Sequence, residues 1–313
     1  MGEHTEFGRR RDGKCLYDAN RGKKFSESED TVFELKGEEA RNYLISKGEF
    51  SWSDETVDLE PEQLDTYAFR AFKKAALSAE RLTKEEVKLP VADILNKLRL
   101  LRDGKPTRAA LILFAHNAEE VSFVACIRIC KEINGDIEFF DEIHGPMFLA
   151  VNRALDLLTV KYAVKRISYK DGIRTEEHPY SGDVLREAIV NAVINADYTS
   201  NRTIKISVLP DRLIIQNPGS IPCGYTVEEL IKEHISKPRN RGIAAVFRAA
   251  GTCESSGSGF EKMNLSYLEQ NLAPPKYKSF PQDFVVTFTN VVVTKNAVSR
   301  NRTADTFSQS QLC

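Results

Sequence analysis

A chain of 313 residues with 42% hydrophobic and 28% charged side chains can bury a sizeable core and fill about two domains. Its net charge of −1 gives no global reason to expect nucleic acid, and six scattered cysteines without a CxxC pair speak against a disulfide framework or a zinc site. With no stretch near the ~20 apolar residues that cross a bilayer, and no apolar signal segment, the expectation is reduced thiols, a cytoplasmic location and no membrane partner.

Residues 1–36 are polar and glycine-punctuated, which predicts a frayed tail or the edge of a domain. A central helical and α+β region is expected over 37–179. It opens on a short helix at 37–48 and a stronger one at 61–79, with Pro61 in the first helical position and Leu64, Tyr67, Ala68, Phe72 and Ala75 on one face. Residues 91–101 and 107–115, joined by the turn Arg102-Asp-Gly-Lys-Pro106, read as a helix–turn–helix unit. Such units more often pack than enter DNA, although Lys97, Arg99, Arg102, Lys105 and Arg108 offer a thin basic face. Strands are expected at 121–130 and 133–143, with Asn134-Gly135 as a turn. An amphipathic helix follows over 147–164, and a polar stretch at 168–182 suggests the main domain boundary.

The second domain, over 180–290, opens on a helix at 183–198. A hairpin around Pro210-Asp211 comes next, with Ile204, Ile206 and Val208 facing the same way as Leu213 and Ile215. Helices are expected over 228–235, over 242–250 with a stop at Gly251, and over 260–271, before an alternating strand at 283–289. Residues 291–313 read as a disordered tail.

The opening helix carries the most informative pattern. Leu185, Ala188, Ile189, Ala192, Val193 and Ala196 form one face, with Glu187, Asn191 and Asn195 as a polar stripe beside it. One carboxylate followed by two amides suits a metal ion or an activated water, and equally a plain surface helix. Gly257 and Gly259 precede a helix, an arrangement that cradles phosphate or simply turns the chain. Lys237 and Arg239, in the loop before helix 242–250, would supply charged donors to such a ligand or stay solvated.

Several runs occur in a fixed order: Arg186 to Ala192, Asp197-Tyr198, Asp211 to Ile215, Asn217-Pro-Gly219, Ile221-Pro222, Lys237-Pro-Arg-Asn240 and Glu254-x-x-Gly-Ser-Gly259. Upstream lie the run at 100–115 and Gly145-Pro-Met-Phe148. Together they resemble the Schlafen-like, AlbA-type transcriptional regulators often labelled RecG-like helicases, over roughly residues 40–290. The carboxy-terminal module of that family is similar to the GHKL ATPases. The resemblance implies an α+β chain ending in a Bergerat-type two-layer sandwich on a mixed sheet, with ATP and Mg2+ as cofactors. Glu187 would be the general base, and Asn191 the magnesium ligand and nucleotide contact. Asn217 and Gly219 would read the base, while Gly257 and Gly259 wrap the phosphates with Lys237 and Arg239 beside them.

The chain departs from the family in two places. Gln216-Asn217 stands where GHKL proteins place the adenine-reading Asp, leaving nucleotide specificity and turnover open. The front holds at most the last turn of an AlbA-type domain, near Arg21-Gly22. No GxxxxGK[ST] loop occurs, so the helicase label is not inherited. The expected function is an ATP-binding transcriptional regulator with weak Mg-dependent ATPase activity, with DNA and a second copy of the chain as further partners. The alternative is a non-catalytic scaffold that retains a degenerate ATPase fold.

Overall fold

The computed structural model describes residues 7–9, 15–18, 23–28, 31–35, 51–61, 64–162, 166–170, 173–177, 180–221, 226–231, 238–253, 259–270 and 272–289. The chain divides into two compact units, Met1–Ser51 and Trp52–Cys313. In the first, β1 (Phe7–Arg9), β2 (Cys15–Asp18), β3 (Lys23–Ser28) and β4 (Thr31–Leu35) pair in order as an antiparallel meander. The sequence predicts a frayed tail or the edge of a domain over 1–36, and these strands occupy part of that stretch. The helix expected at 37–48 and the tail at 291–313 lie outside the described residues.

Among the described residues the first α-helix of the second unit is α1 (Thr66–Ser78). The expected start at Pro61 is displaced because Asp65 caps the helix, its Oδ1 accepting from the Ala68 N–H at 2.7 Å. Next come α2 (Val91–Lys97), a hairpin of β5 (Leu101–Arg102) with β6 (Lys105–Pro106), and α3 (Arg108–Phe114). The helix–turn–helix reading therefore gives way to helix–hairpin–helix. Asp103 and Gly104 both take positive φ, 50° and 76°, the twist that closes a two-residue hairpin.

After α4 (Ala118–Val121), β7 (Ile127–Ile133) and β8 (Asp136–Ile143) form the expected hairpin about Asn134-Gly135, whose φ values are 55° and 92°. The strand starts at Ile127 rather than 121, since α4 and a Ser122 turn, with its Oγ accepting from the Val124 N–H, take up the intervening residues. Then α5 (Met147–Leu157) runs into a π-helical turn at Leu158–Tyr162. A hairpin of β9 (Arg166–Lys170) and β10 (Ile173–Glu177) occupies much of the stretch expected to separate domains.

The remaining elements are α6 (Gly182–Asn195), β11 (Ile204–Val208), β12 (Arg212–Pro218), α7 (Val227–Ile231), α8 (Arg241–Ala249), α9 (Gly259–Glu269), β13 (Lys276–Ser279) and β14 (Asp283–Thr289). One mixed sheet in the order β13-β14-β12-β11-β7-β8 organises the unit. Strands β11 and β7 run parallel, Ile206 beside Ile129, so the sheet draws on both sides of 168–182. The expected hairpin β11–β12 pairs Ile206 with Ile215. Its alternation holds: Ile204, Ile206, Val208, Leu213 and Ile215 are all buried.

Helices cover the sheet and pack on each other through a ring cluster of Phe69, Phe72, Phe114, Phe148 and Phe247, with neighbouring centroids 5.1 to 6.0 Å apart. The last turn of α8 ends as expected at Gly251, with φ of 71° and its N–H donating to the Arg248 carbonyl.

Candidate functional site

Helix α6 packs against β12 of the sheet and beside α5, α8 and α9. Val184, Leu185, Ala188, Ile189, Val190, Ala192, Val193 and Ile194 are buried. That leaves Glu187, Asn191 and Asn195 half-buried in one stripe, since residues four apart recur on one side of a helix. The stripe is continuous in hydrogen bonds. Asn191 Nδ2 donates to Glu187 Oε1 at 3.1 Å, and Asn195 Nδ2 donates to the Asn191 carbonyl at 3.1 Å.

At the Glu187 end, the first residue of α9, Gly259, lies so close that a Cβ there would collide with Glu187 Oε1 and touch Asn191 Nδ2 at 3.6 Å. Three of the residues singled out by sequence, Glu187, Asn191 and Gly259, therefore meet. The Asn191 amide, held through Nδ2, keeps Oδ1 as a hard oxygen next to a carboxylate. That donor pair fits Mg2+, which takes oxygen ligands and retains waters.

The other end of the stripe is organised by a residue to which the sequence assigned no role. Asn195 Oδ1 accepts from the Arg239 backbone N–H at 3.2 Å, and its carbonyl accepts from Arg239 Nε at 3.1 Å. Arg239 Nη2 donates to the Ser220 carbonyl at 2.7 Å. Adjacent Asn240, buried, closes the end of α6 by donating through Nδ2 to the Ile194 and Ala196 carbonyls at 2.9 and 2.7 Å. Gly219, with φ of 98°, fits between Arg239 and Asp197; a Cβ there would stand 3.0 Å from Arg239 Nη2 and 3.1 Å from Asp197 Cβ. Asp197, Gly219, Ser220 and Arg239 border a polar cleft of about 470 Å³ that Thr199, Arg202 and Gln282 help to line.

Asn217 adjoins the second group through Pro218, whose carbonyl also accepts from the Asp197 N–H at 2.9 Å. It is buried at 4% exposure on β12, and its Nδ2 donates to the Pro218 carbonyl at 3.1 Å. Lys237 and Gly257 lie outside the described residues. Four of the five cations of the basic face considered for DNA are paired: Lys97 with Glu86, Arg102 with Asp54, Lys105 with Asp58, and Arg108 with Glu55 while stacking over Trp52. Among the described residues no cluster of three or more His, Cys, Asp or Glu could hold a metal ion, and no helix is long and apolar enough to cross a membrane.

Residues 201–288 match the family described as "Putative ATP-dependent DNA helicase recG C-terminal". The chain carries a GHKL-like, ATPase-like module. The match takes in β11, β12, β13 and all but the last residue of β14, while β7, β8 and helix α6 lie before it. The DIP2311 protein from Corynebacterium diphtheriae shares the fold, with a TM-score of 0.64 at 16% identity over 88% of this chain and 54% of that one. The chain thus spans about half the length of that relative. The Acinetobacter baumannii histidine kinase AdeS aligns over 72% of this chain and 98% of its own at 12% identity, with a TM-score of 0.19. No curated protein matches the chain.

Proposed function

We propose that the chain is a nucleotide-binding regulator in which a nucleoside triphosphate with Mg2+ lies along the α6 stripe, its phosphates beside Glu187, Asn191 and Gly259. The observation that carries this reading is the unbroken bonding from Glu187 through Asn191 and Asn195 to Arg239. From Glu187 to Asn195 the helix rises roughly 12 Å, a length that an extended nucleoside triphosphate spans. The ATPase-like module supports a nucleotide as the ligand class.

In this reading Asn191 Oδ1 holds Mg2+, which when bound neutralises phosphate charge. Glu187 takes the proton of the attacking water, with Asn191 Nδ2 fixing the orientation of its carboxylate. Gly259, lacking a side chain, lets the α9 backbone approach that carboxylate. Gly257 and Lys237 are assigned to the phosphates by sequence order, and Arg239, anchored on two carbonyls, positions the far end of the pocket. Control of transcription, DNA contact and self-association belong to the same proposal and rest on the family resemblance.

A second reading, a scaffold that keeps the fold without turnover, draws on Asn217. Its buried amide faces its own chain and presents no carboxylate to a base. Thermal melting with millimolar nucleotide, with and without magnesium, separates the two. The first reading expects a magnesium-dependent rise that Asn191→Ala removes. No shift with any nucleotide favours the scaffold.

A further inference from the structure

We propose that β8 is a docking edge for a second copy of this chain, the two β8 strands pairing antiparallel about a two-fold axis so that the sheets of both copies join. This gives a surface to the self-association in the proposed function, and it rests on that part of the reading rather than on the nucleotide. Strand β8 ends the six-stranded sheet, with β7 on its inner side, and among the described residues no strand pairs with its outer edge. An edge of this kind presents a row of backbone donors and acceptors that another strand completes.

The two edges of the sheet are guarded differently. At the far edge, β13 carries Lys276 and Lys278, both exposed, with Tyr277 buried between them. Exposed lysines of this kind keep a second strand away. Strand β8 has no such guard. It is eight residues long, and Ile137 and Phe140 are 56% and 57% exposed. A bulge sets these two side chains together. Ile137 pairs with Glu132 and Phe140 with Cys130, residues two apart on β7, so both point from the same face and Glu138 is the extra residue.

The charges on β8 select a second copy as the partner. Three of its four carboxylates are neutralised within the chain: Glu142 accepts from Arg128 Nε at 2.8 Å, Glu138 pairs with Lys131 at 2.8 Å, and Asp141 pairs with Lys161 at 2.6 Å. A basic segment therefore finds little free charge to attract it. Two such strands, by contrast, approach each other without the repulsion that bare carboxylates would cause. An apolar, nearly neutral edge is complementary to itself. A two-fold axis perpendicular to the sheet, passing between Ile137 and Phe140, keeps the same face up in both copies and gathers these side chains into one cluster. A strand pair of this length covers less than a standard interface of about 1,600 Å², so the expected dissociation constant is micromolar.

The test is sedimentation velocity on the full chain across the micromolar range, without nucleotide. The expected result is a monomer–dimer equilibrium that Ile137→Lys or Phe140→Lys, each placing on β8 the guard that β13 carries, weakens roughly tenfold or more. Both positions are more than half exposed, so the melting temperature should stay at that of the parent chain. Phe140→Cys should gain a dimer cross-linked by a short bismaleimide that the parent chain does not form. Undiminished association in both lysine variants, or no added cross-link, overturns this surface and leaves self-association standing. A monomer at every concentration overturns both. Assembly that grows beyond a dimer and is lost in Lys276→Glu means that β8 meets β13 head to tail, and overturns the closed pair.

Discussion

The backbone of Gly259 rests against the Glu187 carboxylate with no room for a side chain between them. The obstructing atom is the far end of a flexible side chain, so an added methyl would push the carboxylate aside rather than unfold the helix. Gly259→Ala should therefore change stability by less than about 1 kcal/mol, since accommodating one methyl beside a movable group costs little. It should abolish nucleotide hydrolysis as completely as Glu187→Ala. Phosphate release and a melting curve on the same sample check both halves. A large fall in melting temperature would mean the contact is structural.

Asn240 holds the end of α6 closed by two hydrogen bonds to backbone carbonyls. Asn240→Ala removes the side-chain partner of the Ala196 carbonyl while the backbone N–H of residue 240 still serves the Ile194 carbonyl, and the expected loss is about 1–3 kcal/mol in urea unfolding. Asn240→Asp should cost at least as much, because it sets a carboxylate against the Ile194 and Ala196 carbonyls. A silent alanine variant would show that water replaces the amide.

Four of the five cations of the helix–hairpin–helix segment are bound to Glu86, Asp54, Asp58 and Glu55. Exposed pairs of this kind add little stability but remove net positive charge from the face. The expectation is no duplex-DNA binding through this segment in anisotropy titrations at low salt. Binding that weakens with salt and falls further in Arg102→Ala would overturn it.

Burial in the sheet pushes the Cys126 thiol up to about 11, with Glu142 adding in the same direction. Burial also raises the phenols of Tyr162, Tyr198, Tyr267 and Tyr277. A pKa raised on folding favours the protonated, folded chain below the unfolded value and withdraws that preference as pH climbs toward the folded value. Stability should hold up to about pH 9, the thiol's ordinary value, and then decline toward pH 11. Cys126→Ala should flatten the early part of the decline in urea midpoints measured across that window.

Much of the fold is legible in the sequence where the deciding interaction is local. The alternation Ile204, Ile206, Val208 against Leu213, Ile215 gives the β11–β12 hairpin. Asn134-Gly135 gives the β7–β8 turn, and Gly251 the stop of α8. The Glu187–Asn191 stripe follows from spacing alone, because one helical turn brings residues four apart together. Expectations failed where a nearby competitor took over, as Asp65 did from Pro61 at the start of α1.

The tertiary structure decided which distant groups meet. Asn195 looks idle beside its neighbours, yet it anchors Arg239 across 44 positions, and nothing in its spacing names that partner. The parallel pairing of β11 with β7 and the carboxylates that cover Arg102 and Lys105 were likewise invisible. Periodicity encodes which face of an element is buried. It does not encode what that face is buried against, because each such contact is worth only about 1 kcal/mol and water or another side chain could supply it. The packing of α6 between the sheet and α8 selects among them. It thereby brings one end of the stripe against Gly259 and the other against Arg239.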